Sequence, residues 1–116
     1  MASGSPGKPN VRTFPKELAE FRRRVKACGD VLRTKSRDEL IAAGRLPTET
    51  WEVEGRSASV TVIVEPKNDG SLRVVVQGFM RSKWLSALSS VALDGFYQRP
   101  TGAIEPMPDK EFYEFD

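Results

Sequence analysis

The sequence predicts an α+β domain: an antiparallel β-meander of three to four strands packed against an N-terminal amphipathic helix, with short additional helices. Three observations carry this. Phe14, Leu18, Phe21, Val25, Cys28 and Leu32 recur at steps of four and three, which is the period of one helix face. From Thr50 onward apolar and polar residues alternate instead, the period of a strand with one buried side. Glycine-containing turns interrupt the alternation at spacings that bring the apolar sides together.

A chain of 116 residues and 12.9 kDa suits one domain. Residues 1–12 are rich in Ser, Gly and Pro without an apolar run, so they read as a disordered tail ahead of a single domain over residues 13–116. The first helix is expected from about Pro15 to Leu32, since proline fits a first helical turn. Gly29 lowers its propensity by about 1 kcal/mol relative to Ala, so a bend or frayed last turn is expected there. Ser36-Arg37-Asp38-Glu39 has the form of a capping box and opens a short second helix, with Gly44 as a left-handed stop before Pro47.

In the strand region, Gly55-Arg56 reads as a type II′ turn, which sets Val53 against Ala58 and Trp51 against Val60. Asn68-Asp69-Gly70 reads as a three-residue loop with Gly70 left-handed. That register pairs Val64 with Val74, Val62 with Val76 and Glu65 with Arg73, and a one-residue slip turns the valines to the wrong face. Residues 82–98 have two readings. Trp84, Leu85, Leu88, Val91 and Ala92 fit a helical stripe, while Val91-Ala92-Leu93 also fits a strand, with Asp94-Gly95 as a bulge or turn. Arg99-Pro100-Thr101-Gly102 reads as a β-turn joining Phe96-Tyr97 to Ala103-Ile104. The last residues, Asp109 to Asp116, are acidic and aromatic; Phe112 and Phe115 on one side favour docking onto the domain, and the alternative is a free recognition tail.

Composition removes several classes of chemistry. With no histidine, Ser-His-Asp and Cys-His catalysis and His-ligated zinc are excluded. The single cysteine, Cys28, excludes an intramolecular disulfide and a multi-Cys metal site, and on an apolar helix face it reads as an inert core thiol. No stretch approaches the roughly 20 apolar residues of a membrane span, and no apolar leader is visible, so a cytoplasmic protein without a membrane role is expected. Neither a Gly-x-Gly-x-x-Gly nor a Walker pattern is present. No catalytic residue, cofactor or metal ligand is expected. Glu52 and Glu54, about 7 Å apart on one strand face, read as a solvated pair.

Charge is unevenly distributed. Residues 1–46 carry eleven basic and five acidic side chains, and residues 47–116 carry seven and eleven. The basic part either binds an anionic partner or folds onto the acidic part, and the near-neutral sum of +2 favours the second. Arg22, Lys26 and Arg33 form a stripe beside the buried helix face, either a contact for an acidic partner or a solvated flank.

One anomaly points to function. Ile63, Val75 and Phe79 fall on the otherwise polar sheet face, where an apolar cover is required. Either the aromatic residues Phe112, Tyr113 and Phe115 dock there, or the face binds a protein partner or a second copy. The expected role is therefore a small soluble, noncatalytic interaction or regulatory domain that binds another protein. The alternative is nucleic-acid binding through Arg22, Lys26, Arg33, Lys35 and Arg37.

Overall fold

A computed structural model describes residues 16–81 and 89–115. The elements run α1 (Lys16–Leu32), α2 (Arg37–Gly44), β1 (Glu49–Val53), β2 (Arg56–Pro66), β3 (Leu72–Arg81), β4 (Ser89–Gln98), β5 (Ile104–Pro106) and α3 (Asp109–Phe112), followed by a 3-10 turn at Tyr113–Phe115. The fold is α+β, as expected, but the sheet has five strands rather than three or four, all antiparallel and in sequence order. The extra strands come from residues 89–106, where the periodicity is weakest. The tail expected over residues 1–12, and Trp84, Leu85 and Leu88 of the helical stripe, lie outside the described residues.

α1 covers one sheet face. Its stripe supplies Leu18, Phe21, Val25 and Leu32 to a core shared with Val53, Val60, Val74, Val76 and Phe96, while Trp51 and Val62 pack at its margin. Phe21 is fully buried and meets Trp51 edge to face, with ring centroids 6.5 Å apart. Gly78 makes this possible, because a Cβ there would lie 2.5 Å from Phe21 Cζ. Gly29 does not end or fray the helix, which continues to Leu32. It admits Asp94 instead: a Cβ at Gly29 would fall 1.8 Å from Asp94 Oδ2.

The capping box forms as the sequence indicates. Ser36 Oγ accepts from Glu39 N at 3.2 Å, and Ser36 N donates to Glu39 Oε1 at 2.8 Å. Gly44 is the last residue of α2 and not a left-handed stop. Its role is close packing, with Val64 Cβ 2.8 Å from where a Cβ would stand.

The β2–β3 register is the expected one: Val64 faces Val74, Ile63 faces Val75 and Glu65 faces Arg73. Gly70 has φ of 87°, which the three-residue loop requires. The β1–β2 turn lies one residue earlier than expected. Glu54 and Gly55 both take positive φ, 49° and 80°, as a type I′ turn demands. Trp51 consequently pairs with Ala58, and Val53 with Arg56. Partners shift by two, so the apolar faces still coincide.

Residues 89–98 are a strand, which settles the ambiguity at Val91 and Ala92 against a helix. Asp94 and Gly95 sit within the ladder, opposite Val76 and Val75, and form neither a bulge nor a turn. The Arg99–Gly102 turn joins β4 to β5, with Gly102 N donating to Arg99 O at 2.8 Å and Gly102 at φ 92°.

Candidate functional site

The sheet face opposite α1 is built from cross-strand rows. One end holds Glu65, Arg73 and Tyr97; the next row holds Ile63, Val75 and Gly95; then come Thr61, Gln77 and Leu93; the far row is Ser59, Phe79 and Val91. The C-terminal segment closes the first end. Met107 is buried and fills the space above Gly95, whose missing Cβ would lie 3.1 Å from Met107 Cε. Met107, Val75 and Tyr97 form a second small core against which Ile63, Leu93 and Phe112 pack.

A polar clamp adjoins this core. Arg73 is only 6% exposed. Its Nε donates to Glu65 Oε1 at 2.7 Å, Nη1 to Glu111 Oε1 at 3.0 Å and Nη2 to Glu114 Oε1 at 3.1 Å. Tyr97 donates its hydroxyl to Glu111 Oε1 at 2.6 Å. Glu65 and Arg73 are thus cross-strand partners as expected, but the pair is not an exposed one. Burial opposes the arginine's charge, yet the three carboxylates raise its pKa well above the ordinary value. The Glu111 carboxyl is lowered, first by the Tyr97 hydroxyl and further by Arg73, against desolvation.

The far end is open. Val75 is fully buried and Ile63 half-buried, whereas Phe79 remains 38% exposed on a central strand. Of the three aromatic residues expected as a cover, Phe112 docks and Tyr113 is 77% exposed. The Phe115 side chain lies outside the described residues.

One strand over from Phe79 lies the outer edge of β4, most of which has no strand partner among the described residues. β5 pairs with β4 only at Phe96–Gln98, and it ends at Pro106, with Pro108 close behind. Proline has no N–H to continue a ladder. The outer edge of β4 over residues 89–95 therefore has no strand partner among the described residues. Five of its residues, Ser89-Ser90-Val91-Ala92-Leu93, carry no charge. A shallow concavity of about 340 Å³, lined by Arg22, Val91, Ala92 and Leu93, lies along it. The opposite edge, β1, contains Glu49 and Glu52 and is followed by Glu54, and charged side chains discourage edge-to-edge pairing.

The basic side chains in and just after α1 are mostly engaged within the chain, though among those in ion pairs only Arg33 is largely shielded from solvent. Lys26 pairs with Asp30 at 2.6 Å. Arg33 grips Asp94 through both nitrogens, donates to Gly95 O at 3.2 Å and stacks 4.9 Å above the Phe96 ring centroid. Arg37 donates to Gly70 O at 2.6 Å. Arg23 and Arg24 both bond Glu20, whose carboxyl is lowered to about 2 by these two hydrogen bonds, Arg23 first. Arg22 is exposed beside β4.

Glu52 and Glu54 do not share a strand face. Glu54 belongs to the turn and pairs with Lys16 at 3.7 Å, while the Glu52 carbonyl accepts from Arg24 at 3.0 Å. Cys28 lines an apolar cleft of about 160 Å³ with Leu32, Trp51, Val60 and Val62. Burial raises its pKa, with Glu49 and Asp94 adding to the effect, which keeps the thiol protonated. An open cleft of about 530 Å³ beside Tyr97 mixes Lys67 and Arg99 with Asp69, Glu105 and Glu111. There Arg99 pairs with Glu105 and lies 4.8 Å over the Tyr97 ring. Among the described residues no group of three or more Cys, Asp or Glu is placed to hold a metal ion, and no helix is long and apolar enough to cross a membrane.

Comparison with protein-family models, curated proteins and solved structures finds no match in any of the three.

Sequence reasoning located Phe79 and Arg22 and missed the outer edge of β4. A signal was present: Pro106 and Pro108 limit how far a last strand can pair. The Arg73 clamp was half visible, because turn geometry supplies Glu65 but nothing local supplies Glu111 or Glu114.

Proposed function

We propose that this protein is a noncatalytic binding domain that takes an extended segment of another protein onto the outer edge of β4. The carrying observation is the uncharged outer edge of β4 over residues 89–93, which has no strand partner among the described residues, with the exposed Phe79 one strand in from it in the same cross-strand row as Val91. A strand edge presents alternating N–H and C=O groups whose complement is another extended backbone. Seven residues span about 23 Å, enough for a partner strand of ordinary length. Val91 is the apolar edge residue that meets the incoming strand, and its β3 partner Phe79 extends the apolar row behind it.

Nucleic-acid binding through Arg22, Lys26, Arg33, Lys35 and Arg37 is the lesser reading. Lys26, Arg33 and Arg37 are engaged with neighbouring groups. A phosphate ligand would have to compete with Asp30 and Asp94 for two of them.

Capture from extract, followed by reconstitution with the purified partner, tests the proposal. Association should persist from 50 to 500 mM salt and fall at least tenfold in Phe79→Ser, with the thermal unfolding profile retained. A complex that dissolves steeply with salt and ignores Phe79→Ser is phosphate binding and overturns the reading. Self-association at the same edge, seen by sedimentation, makes the partner a second copy.

A further inference from the structure

The closed end of the same face carries an inference separate from the open edge. Residues 109–114 contribute little structure of their own. α3 has four residues and none is buried, and its cap lacks a side-chain hydrogen bond. Beyond the Met107 anchor, the contacts described above are those of a docked ligand: an aromatic ring, Phe112, against an apolar floor, and two carboxylates on one guanidinium. The receptor side belongs to the sheet. Ile63, Val75 and Leu93 form the floor, Arg73 the anion clamp and Tyr97 a hydroxyl donor.

We propose that this face is a receptor site for an acidic, aromatic peptide, and that Glu111, Phe112 and Glu114 occupy it as an intramolecular ligand. The recognised chemistry is two carboxylates three residues apart with an aromatic ring next to the first. The buried guanidinium selects for it, because Glu111 and Glu114 both pair with Arg73 where its charge is largely withdrawn from solvent. A peptide with the same chemistry in another chain fits the same clamp. The tether gives the native segment an effective concentration in the millimolar range, so a competitor binds well only when the tethered segment is weakened.

The test uses the full-length chain and a fluorescent peptide with the sequence of residues 108–114. The wild type should bind it weakly. Glu111→Gln combined with Glu114→Gln should free the segment, read as faster chymotryptic cleavage at Phe112 or Tyr113, and raise peptide affinity at least tenfold. Phe112→Ala should free the segment by a second route and also raise affinity. Adding Arg73→Met to the double variant should abolish binding, with folding checked by circular dichroism. Equal affinity for wild type and freed variants, binding indifferent to Arg73, or a segment that stays docked in both variants overturns the proposal. Phe79→Ser should leave peptide binding unchanged, which separates this site from the β4 edge.

Discussion

The guanidinium of Arg33 holds the carboxylate of Asp94, 61 residues away in the chain, through two hydrogen bonds of 2.6 and 3.1 Å. The pair ties the end of α1 to the middle of β4 and brings charge from the basic part of the sequence onto the acidic part. Both side chains are largely removed from solvent, at 25% and 12% exposure, so the fork is more than a screened surface contact. Asp94→Asn should destabilise the fold by about 1.5–3 kcal/mol, the range for hydrogen bonds to charged groups. Urea unfolding of wild type and variant measures it.

Gly29 gives a sharper check on the same contact. Alanine raises helix propensity by about 1 kcal/mol, so an isolated helix would gain from Gly29→Ala. Here the added Cβ meets Asp94 Oδ2 at 1.8 Å and must displace it. The variant should therefore be less stable than wild type, and a stability gain would show that Asp94 gives way at no cost.

Phe21→Ala should cost about 3–5 kcal/mol, a large share of the stability of a domain this size. Its ring is fully buried against Trp51 and above Gly78. Retention of wild-type thermal stability would contradict the packing of α1 on the sheet.

These contacts divide what was legible in the chain from what was not. The Asn68-Asp69-Gly70 loop and the Ser36–Glu39 box are short-range chemistry, and both formed as read. The β1–β2 turn lies one residue earlier than local sequence indicates because Glu54 takes a positive φ. Asp94-Gly95 resembles a turn, yet Arg33 on one face and Met107 on the other hold it in the ladder. Both partners are remote in sequence, and so are Glu111 and Glu114 from Arg73. Ile63, Val75 and Phe79 share one face, as the strand alternation indicates, but their separation into a covered and an open end depends on how far Phe112 reaches.

Docking of the C-terminal segment should depend on acid. Glu111 faces Arg73 of β3 and Tyr97 of β4, with Glu65 of β2, Lys67 of the β2–β3 loop and its own neighbour Glu114 nearby. Its folded pKa lies below the usual 4.5, so its contribution is present above that value and is lost as pH falls through the lower, folded one. Arg73 stays charged throughout. Chymotryptic cleavage at Tyr113 should be slow and constant above about pH 5, with NMR line positions of Phe112 shifting progressively below 4.5. In Glu111→Gln the Phe112 shift should lose most of this dependence.

Amide hydrogen exchange across β4 tests the central claim most directly. In the isolated protein, those amides of residues 89–95 that point away from β3 should exchange rapidly, while those bonded to β3 stay protected. Addition of the purified partner should protect the outward set and leave Lys16–Leu32 unchanged. Outward amides already protected in the dilute, isolated chain, or protection confined to α1 when the partner binds, would contradict a protein-binding strand edge.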